Sequence, residues 1–596
     1  MNGYSAPIQD MRFLLESVVG LDEVRQLPGF EEAATDLVDA VLEEGGKLAS
    51  EVLAPLNQPG DRQGSRLENG VVRTPDGWTE AYAKFVEGGW ASVPFDPAHG
   101  GQGLPWAVHT PLAEMWSSAN LSFSLCPMLS VGAAEVLAIH GTEAQKALYL
   151  KPLVEGHWTG TMNLTEPQAG SDLGQIRTRA VRAGDHYKIT GQKIFITYGD
   201  HDIAENIVHL VLARLPDAPA GVRGISLFIV PKRMVGPDGA LGAHNDLRCV
   251  SLERKMGIHA SPTCVMAYGD NGGATGFLVG EENRGLEYMF TMMNNERLGV
   301  GIQGIAVAER AYQLARDYAR SRIQSRDDAS SGRESVAIIR HPDVRRMLMT
   351  MRALTEASRA LAYQTAVLLD RAHRHPEEAE RRHSQSLVDF LTPVVKAWST
   401  DIACEVASLG VQIHGGMGFV EDLGAAQLFR DARITPIYEG TNGIQARDLV
   451  GRKLLREGGE TARRLEAEIQ ALDARLALAP GEEMAAIRLG LAGGIQALTE
   501  ATSWLLDAAK REPLAPAAGA THYQTLVGIV AGGWMMARAA LAATEGQKAA
   551  IDGTFLAAKR ATARFYADKI LPQSAALLAT IKTGAAATMA LAEEQF

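Results

Sequence analysis

The chain has 596 residues, 46% of them hydrophobic and 21% charged, with a net charge of −12. That length exceeds what one hydrophobic core serves, so several domains are expected, and the acidic balance argues against a nucleic-acid binder. The scattered Cys126, Cys249, Cys264 and Cys404 offer neither a CxxC nor a Cys/His cluster, so neither a disulfide framework nor a zinc site is suggested, and a reducing cytoplasm is the expected setting.

Residues 1–160 read as mostly helical, with amphipathic stretches at 36–53, 110–125 and 142–154 around the Gly/Pro loop PFDPAHGGQGLP. The opening MNGYSAPIQDMRF lacks the basic start and apolar core of a signal peptide. Near residue 161 the texture changes. HYKITGQKIFIT, NIVHLVLARL and GISLFIVP are short β-branched runs between Gly, Pro and Asp, and read as strands. Helical periodicity returns over 286–322, 341–374 and 384–412. A last, Ala-rich segment from about 457 reads as a further helical domain, with EPLAPAAGA (512–520) as a loop inside it. Its apolar run 526–537 falls short of the ~20 residues that cross a bilayer, so no membrane span is expected. The expected division is 1–55, 56–160, 161–285, 286–456 and 457–596.

Several motifs have chemical content. Gly299, Gly301 and Gly304 spell GxGxxG, but no strand precedes them, so close helix packing is the better reading than a dinucleotide site. TMNLTEPQAGSDLG (161–174) is an irregular loop rich in N–H groups and hydroxyls, able to hold a phosphate or the polar edge of a flavin, or merely a turn before a strand. In GQKIFITYGDHD, Phe195 and Thr197 are two apart on an expected strand and so share one face. In RDARITPIYEGTNGIQARDL, Glu439 sits in a connector that Pro436 opens and that Thr441 or Asn442 could close as a helix cap. Tyr438 beside it would raise the carboxyl pKa from about 4.3 towards that of a useful base. GVQIHGGMGF (410–419) is a Gly-rich turn after a helix. His414 within it has no second ligand at a plausible spacing, so no metal site is expected.

Taken in order, TEPQAGSD, KIFIT, KMGIHASPT, NNERLGVG, QIHGGMGF and RDARITPIYEGTNGIQ resemble the acyl-CoA dehydrogenase family over about residues 80–450. The resemblance implies an α+β fold: a helical N-terminal domain, a β-barrel-like middle domain and a C-terminal four-helix bundle, here with an extra C-terminal helical domain. YSAPIQDMRF and that extra domain are similar to the long bacterial branch that includes 3-methylmercaptopropionyl-CoA dehydrogenase. It further implies FAD as cofactor and no metal. Met162, Leu164 and Thr165 match the segment along the flavin, and Ser171 a contact to the pyrophosphate or to CoA. Phe195 matches the aromatic packed on the isoalloxazine, with Thr197 its hydrogen-bonding neighbour. Arg322, Gln412, Gly415 and Gly416 match positions that reach the adenine half of FAD from a neighbouring subunit. Gly440, Thr441 and Gly443 match contacts just after the base, Asn294 and Arg297 substrate-side positions, and Glu439 the catalytic base. The sequence departs from the family's pattern in having Phe195 for tryptophan, Met162 for an aromatic, His259 for arginine and Gln324 for threonine.

The implied reaction is α,β-dehydrogenation of an acyl-CoA to the trans-2-enoyl-CoA, with 3-methylmercaptopropionyl-CoA or another short acyl-CoA as substrate. Electron-transferring flavoprotein is the implied acceptor, and a homodimer or larger homo-oligomer the implied assembly. A long-chain dehydrogenase, an acyl-CoA oxidase and a DNA-associated alkylation-response flavoprotein share the fold and are the alternatives.

Overall fold

A computed structural model describes residues 3–327, 334–546 and 552–596. The N-terminal helices include α1 (Thr35–Lys47), α2 (Trp78–Glu87), α3 (Trp106–Ala119) and α4 (Leu121–His140). The expected single helix over 110–125 is two. Asn120 leaves the helical region at φ −159°, and its side chain accepts from Phe123 N–H at 3.1 Å to cap α4, while its amide donates to the Leu53 carbonyl. A capping side chain outcompetes helix continuation.

The middle of the chain forms an eight-stranded sheet: β1 (Trp158–Asn163), β2 (Arg179–Ala183), β3 (His186–Thr197), β4 (Asn206–Arg214), β5 (Ile225–Pro231), β6 (Leu247–Leu252), β7 (Thr263–Tyr268) and β8 (Ala274–Val279). The path runs β6-β7-β3-β8-β5-β4-β1, with β2 against β3 and β4. Only the pairings β1–β4 and β2–β4 are parallel. β4 and β5 are buried almost throughout, hence their continuous Val/Ile/Leu runs rather than an in–out alternation.

Three long helices follow: α5 (Gly285–Ser321), α6 (Pro342–Arg374) and α7 (Glu378–His414). Glycines let α5 and α7 touch. A Cβ on Gly301 would lie 2.7 Å from Val395, and one on Gly304 2.6 Å from the Ser399 carbonyl. The GxGxxG pattern is thus a helix-packing device. Two short helices, α8 (Ala425–Ala432) and α9 (Asn442–Asp448), flank the connector that holds Glu439.

The last region comprises α10 (Glu460–Leu478), α11 (Glu482–Ala508), α12 (Ala515–Glu545), α13 (Gly553–Lys569) and α14 (Gln573–Ile581). The expected loop over 512–520 gives way to helix at Ala515. Pro516 sits in the first turn of α12, where a missing N–H costs nothing. The apolar run 526–537 is the middle of this 31-residue helix, which is long and apolar enough to span a bilayer, as is α4. Length therefore does not set these helices apart from membrane spans; burial does, since 94% of the α12 window and 78% of the α4 window lie inside the protein. α12 lies on α7: a Cβ at Gly528 or Gly532 would come within 2.5 or 2.4 Å of the Trp398 ring.

Candidate active site

The connector between α8 and α9 is fixed from both ends. Thr441 caps α9 by accepting from Ile444 N–H at 3.2 Å. Asn442 accepts from Lys396 Nζ on α7 at 2.9 Å and donates to Asp401 and to the Ala397 carbonyl. The Tyr438 hydroxyl donates to Gln303 Oε1 on α5, and Gln303 Nε2 reaches Met128 Sδ at 3.1 Å. Gln445 donates to the carbonyls of Glu439 and Gly440. Held so, Glu439 adopts φ +56°, a left-handed conformation that costs a non-glycine residue about 1 kcal/mol or more. Strain of this kind persists only where the surroundings over-determine it.

Charges of both signs gather here, and among the described residues none of Glu439, Glu296, Glu135, Arg297 and Lys396 closes a direct ion pair. Burial raises the Glu439 carboxyl to about 7, with Arg297 and Lys396 pulling the other way. Burial pushes Lys396 down to about 7 despite Glu439 and Asp401. Glu296 on α5 is fully buried, with neither carboxyl oxygen hydrogen-bonded, and burial, Glu439 and Glu135 all raise its pKa. Glu135 is raised to about 7 by burial, eased by a 2.8 Å bond from Asn295. Arg297 donates to Asn294 at 3.3 Å and keeps a buried, unpartnered Nε. Sequence reasoning reached Glu439, Asn294 and Arg297. It missed Lys396, Glu135 and Glu296, although Glu296 stands inside the same NNER motif.

Beside this cluster lies a cavity of about 60 Å³, walled by Trp90, Trp106, Trp116 and Met128 from the N-terminal domain and by Asn295, Leu298 and Gly299 of α5. Gln303 connects its Met128 wall to Tyr438 and so to the base loop. Two polar atoms at the cavity are buried without partners, His109 Nδ1 and Trp116 Nε1. Burial lowers the His109 pKa to about 4, so the ring is neutral at pH 7.

The residues assigned to the flavin fall in two groups. Met162 is the last residue but one of β1, and Leu164 and Thr165 lie just beyond the strand. They meet the end of β3 through Ile194 N–H to the Thr165 carbonyl (2.9 Å) and Thr161 Oγ1 to the Thr197 carbonyl (2.8 Å). The expectation that Phe195 and Thr197 simply alternate on one strand face fails: β3 carries a bulge opposite Cys264–Met266, and Phe195 has φ +59° with 59% of its surface exposed. An extra residue breaks the two-residue period. An exposed aromatic ring in a strained bulge fits a planar ring system. Ser171 is also exposed. The second group sits at the ends of α5 and α7, which His414 brings together by stacking on Tyr318 at 4.4 Å. Arg322, Gln412, Gly415 and Gly416 are exposed there, and a Cβ on either glycine would meet nothing within 4 Å. Gly440, Thr441 and Gly443 surround the start of α9. Among the described residues no group of three potential metal ligands occurs.

Models of the acyl-CoA dehydrogenase N-terminal, middle and C-terminal domains match residues 40–157, 161–271 and 283–455, and an acetyl-CoA dehydrogenase C-terminal-like model matches 462–592. The chain is 52% identical over 574 residues to 3-methylmercaptopropionyl-CoA dehydrogenase of Ruegeria pomeroyi, covering 96% of this chain and 97% of that protein. A chain from the structural work on the electron transferring flavoprotein of Acidaminococcus fermentans is 29% identical, with TM-score 0.58, over 71% of this chain and 99% of that one. An acyl-CoA dehydrogenase from Bacillus anthracis complexed with FAD shares the fold at TM-score 0.74 and 21% identity, over 96% of this chain and 91% of that one. The strained glutamate, the exposed Phe195 ring and these matches agree: the chain belongs to the acyl-CoA dehydrogenase family, and is an FAD-dependent enzyme that dehydrogenates acyl-CoA thioesters.

Proposed function

We propose that Glu439 is the general base for the α-proton, that the acyl tail occupies the aromatic cavity, and that the preferred substrate is a short acyl-CoA with a thioether in its tail, 3-methylmercaptopropionyl-CoA. FAD bound along Met162, Leu164, Thr165, Phe195 and Thr197 supplies the two-electron acceptor for the β-hydrogen. The protein's part is position and charge. Glu439, with a pKa near 7, is half ionised at neutral pH and takes the proton. Its own backbone N–H, which has no backbone acceptor among the described residues, is placed to hold the developing enolate oxygen. Arg297 and Lys396 keep the carboxylate available against the cost of burial. Asn294 and Ser171 are assigned to the CoA side, and Gly440, Thr441 and Gly443 to cofactor contacts after the base.

The cavity carries the substrate reading. About 60 Å³ holds roughly four to six atoms at the volume a water-sized probe needs, enough for a methylthio group and far too little for a palmitoyl tail. Its unpartnered Trp116 Nε1–H is a donor without an acceptor, and sulfur, a soft weak acceptor, also suits the aromatic walls. A dye-coupled assay should give kcat/KM for 3-methylmercaptopropionyl-CoA at or above that for its methylene isostere pentanoyl-CoA, and well above palmitoyl-CoA. Trp116→Phe should erase the thioether advantage. A tenfold preference for palmitoyl-CoA, about 1.4 kcal/mol, would overturn the reading.

Electron-transferring flavoprotein is the proposed acceptor, supported by the family reading and the Acidaminococcus chain. A homodimer is proposed because Arg322, Gln412, Gly415 and Gly416 share their edge with exposed Met417, Phe419 and Val420. A cytoplasmic location is proposed on the four cysteines, all free.

A further inference from the structure

Between the two flavin-facing segments lies an ion pair that the reaction does not use. Lys193 is fully buried and Glu166 is 4% exposed, and their charges are 2.8 Å apart. Taking such a pair out of water is expensive, and well-packed apolar residues usually serve stability as well or better. Its hydrogen bonds show what the pair holds. Lys193 Nζ also donates to the Leu164 carbonyl at 2.9 Å, fixing the peptide that carries the Thr165 N–H. The next residue, Ile194, donates its N–H to the Thr165 carbonyl, and the one after is Phe195 in its left-handed bulge. Glu166 in turn is locked by Thr178 N–H (3.0 Å), Thr178 Oγ1 (2.6 Å), Arg177 N–H (2.6 Å) and Gln168 Nε2 (2.7 Å). Burial alone would raise the Glu166 carboxyl, but Lys193 and these donors outweigh it and hold it down at about 2, while Lys193 falls to about 8. The pair therefore stays ionised through neutral pH. One side of the staple is the Thr165 segment; the other is the residue two before the exposed ring.

We propose that the buried Lys193–Glu166 pair is a positioning device for the flavin: it fixes the Leu164–Thr165 peptide and the Phe195 bulge relative to each other, so that hydroxyl, N–H and ring meet the isoalloxazine in one geometry. Pairing with β7 sets the bulge itself, but among the described residues only the Lys193 and Ile194 hydrogen bonds tie the N-terminal side of Phe195 to the 164–165 segment, so without the pair the bulge and that segment are joined there by the Ile194 bond alone. This rests on the placement of FAD against Thr165 and Phe195.

The test is the full-length double variant Lys193→Met/Glu166→Gln, which removes both charges yet leaves one amide oxygen to accept from Thr178. Purified protein is stripped of FAD and titrated with it, with the flavin absorption spectrum and midpoint potential recorded on the reloaded enzyme. Cooperative unfolding near the wild-type Tm, with FAD Kd raised about tenfold or more (1.4 kcal/mol) and altered flavin bands, is the expected result. Wild-type Kd, spectrum and potential in a folded double variant would overturn it. If the double variant does not fold, Thr178→Val, which deletes one donor to Glu166 at constant volume, should raise Kd about threefold, the worth of one hydrogen bond, and a wild-type Kd and spectrum there would overturn the proposal. Phe195→Ala separates the two layers. If that variant leaves the spectrum and Kd unchanged, the placement of FAD is wrong and the positioning role falls with it; if Phe195→Ala changes them and the double variant does not, the placement stands and only the staple fails.

Discussion

Two clusters of buried charge, both crossing several elements, are built on opposite principles. In the first, Arg359 on α6 bonds Asp10 (2.8 Å), Glu114 (2.6 Å) and Glu309 (2.7 Å), and Lys559 on α13 bonds Asp10 and Glu356 (3.0 Å). Tyr363 completes Glu114 at 2.8 Å. Cation meets anion throughout, and the cluster ties the N-terminal segment, the bundle and the last domain together. In the second, around Glu439, the charged groups are hydrogen-bonded to asparagines: Glu135 to Asn295, Arg297 to Asn294, Lys396 to Asn442. A neutral amide orients a charge without cancelling it, so burial prevails and raises Glu439 and Glu135 to about 7, against Arg297 and Lys396 at the one and the Asn295 bond at the other. Paired burial makes structure, whereas neutral-partnered burial makes a site whose protons are mobile at physiological pH.

The largest effect expected from breaking this contrast is at the base. Glu439→Gln should bind FAD and acyl-CoA and slow anaerobic flavin bleaching by at least ~10²-fold; bleaching at the wild-type rate would show that the base lies elsewhere. The paired cluster should respond in the opposite currency. Arg359→Met takes the cation from Glu114 and Glu309 and leaves Asp10 with Lys559 alone, and should lose about 3–5 kcal/mol in denaturant unfolding, with FAD content and turnover per folded molecule unchanged.

pH sharpens the comparison. Glu439 must be unprotonated to act, and burial has raised its pKa to about 7, so kcat/KM should climb through pH 7 and level off above it. The stability sign is the reverse. A carboxyl whose folded pKa is raised contributes stability below its unfolded value of about 4.3, and that contribution is lost as pH rises through 7. Glu439→Gln should therefore gain stability over wild type as pH rises from 5 to 8, measurable by urea midpoints; an unchanged difference would place the titration elsewhere. The smallest effect belongs to the last domain. Gly532→Ala puts a methyl 2.4 Å from Trp398 and 2.8 Å from the Tyr566 hydroxyl, and should cost about 1–3 kcal/mol by overpacking with kcat preserved. A loss of kcat without a loss of stability would make the last domain a catalytic participant.

The order helix–sheet–helix, the added helical domain and the connector around Glu439 were legible in the sequence because each rests on local chemistry: period-two and period-3.6 runs, Pro436, a Thr441 cap. Asn294 and Arg297 were reached only through the resemblance of NNERLGVG to the family's motif. What local chemistry could not supply was depth. Lys396, Glu135 and Glu296 are ordinary charged residues on long helices, and only the crossing of α4, α5 and α7 strips them of water. Trp116 and His109 acquire a role only because α3, α4 and α5 enclose a cavity between them. The bulge at Phe195 is set by pairing with β7, whose register no single strand encodes. The helix at Ala515 overrode a Gly/Pro-rich composition because its apolar residues pack against α7 and α11. Spacing along the chain fixes which residues can form a motif; burial and pairing across the chain decide which of their charges remain free to react, since desolvation depends on every element that surrounds a group and not on its own neighbours in sequence.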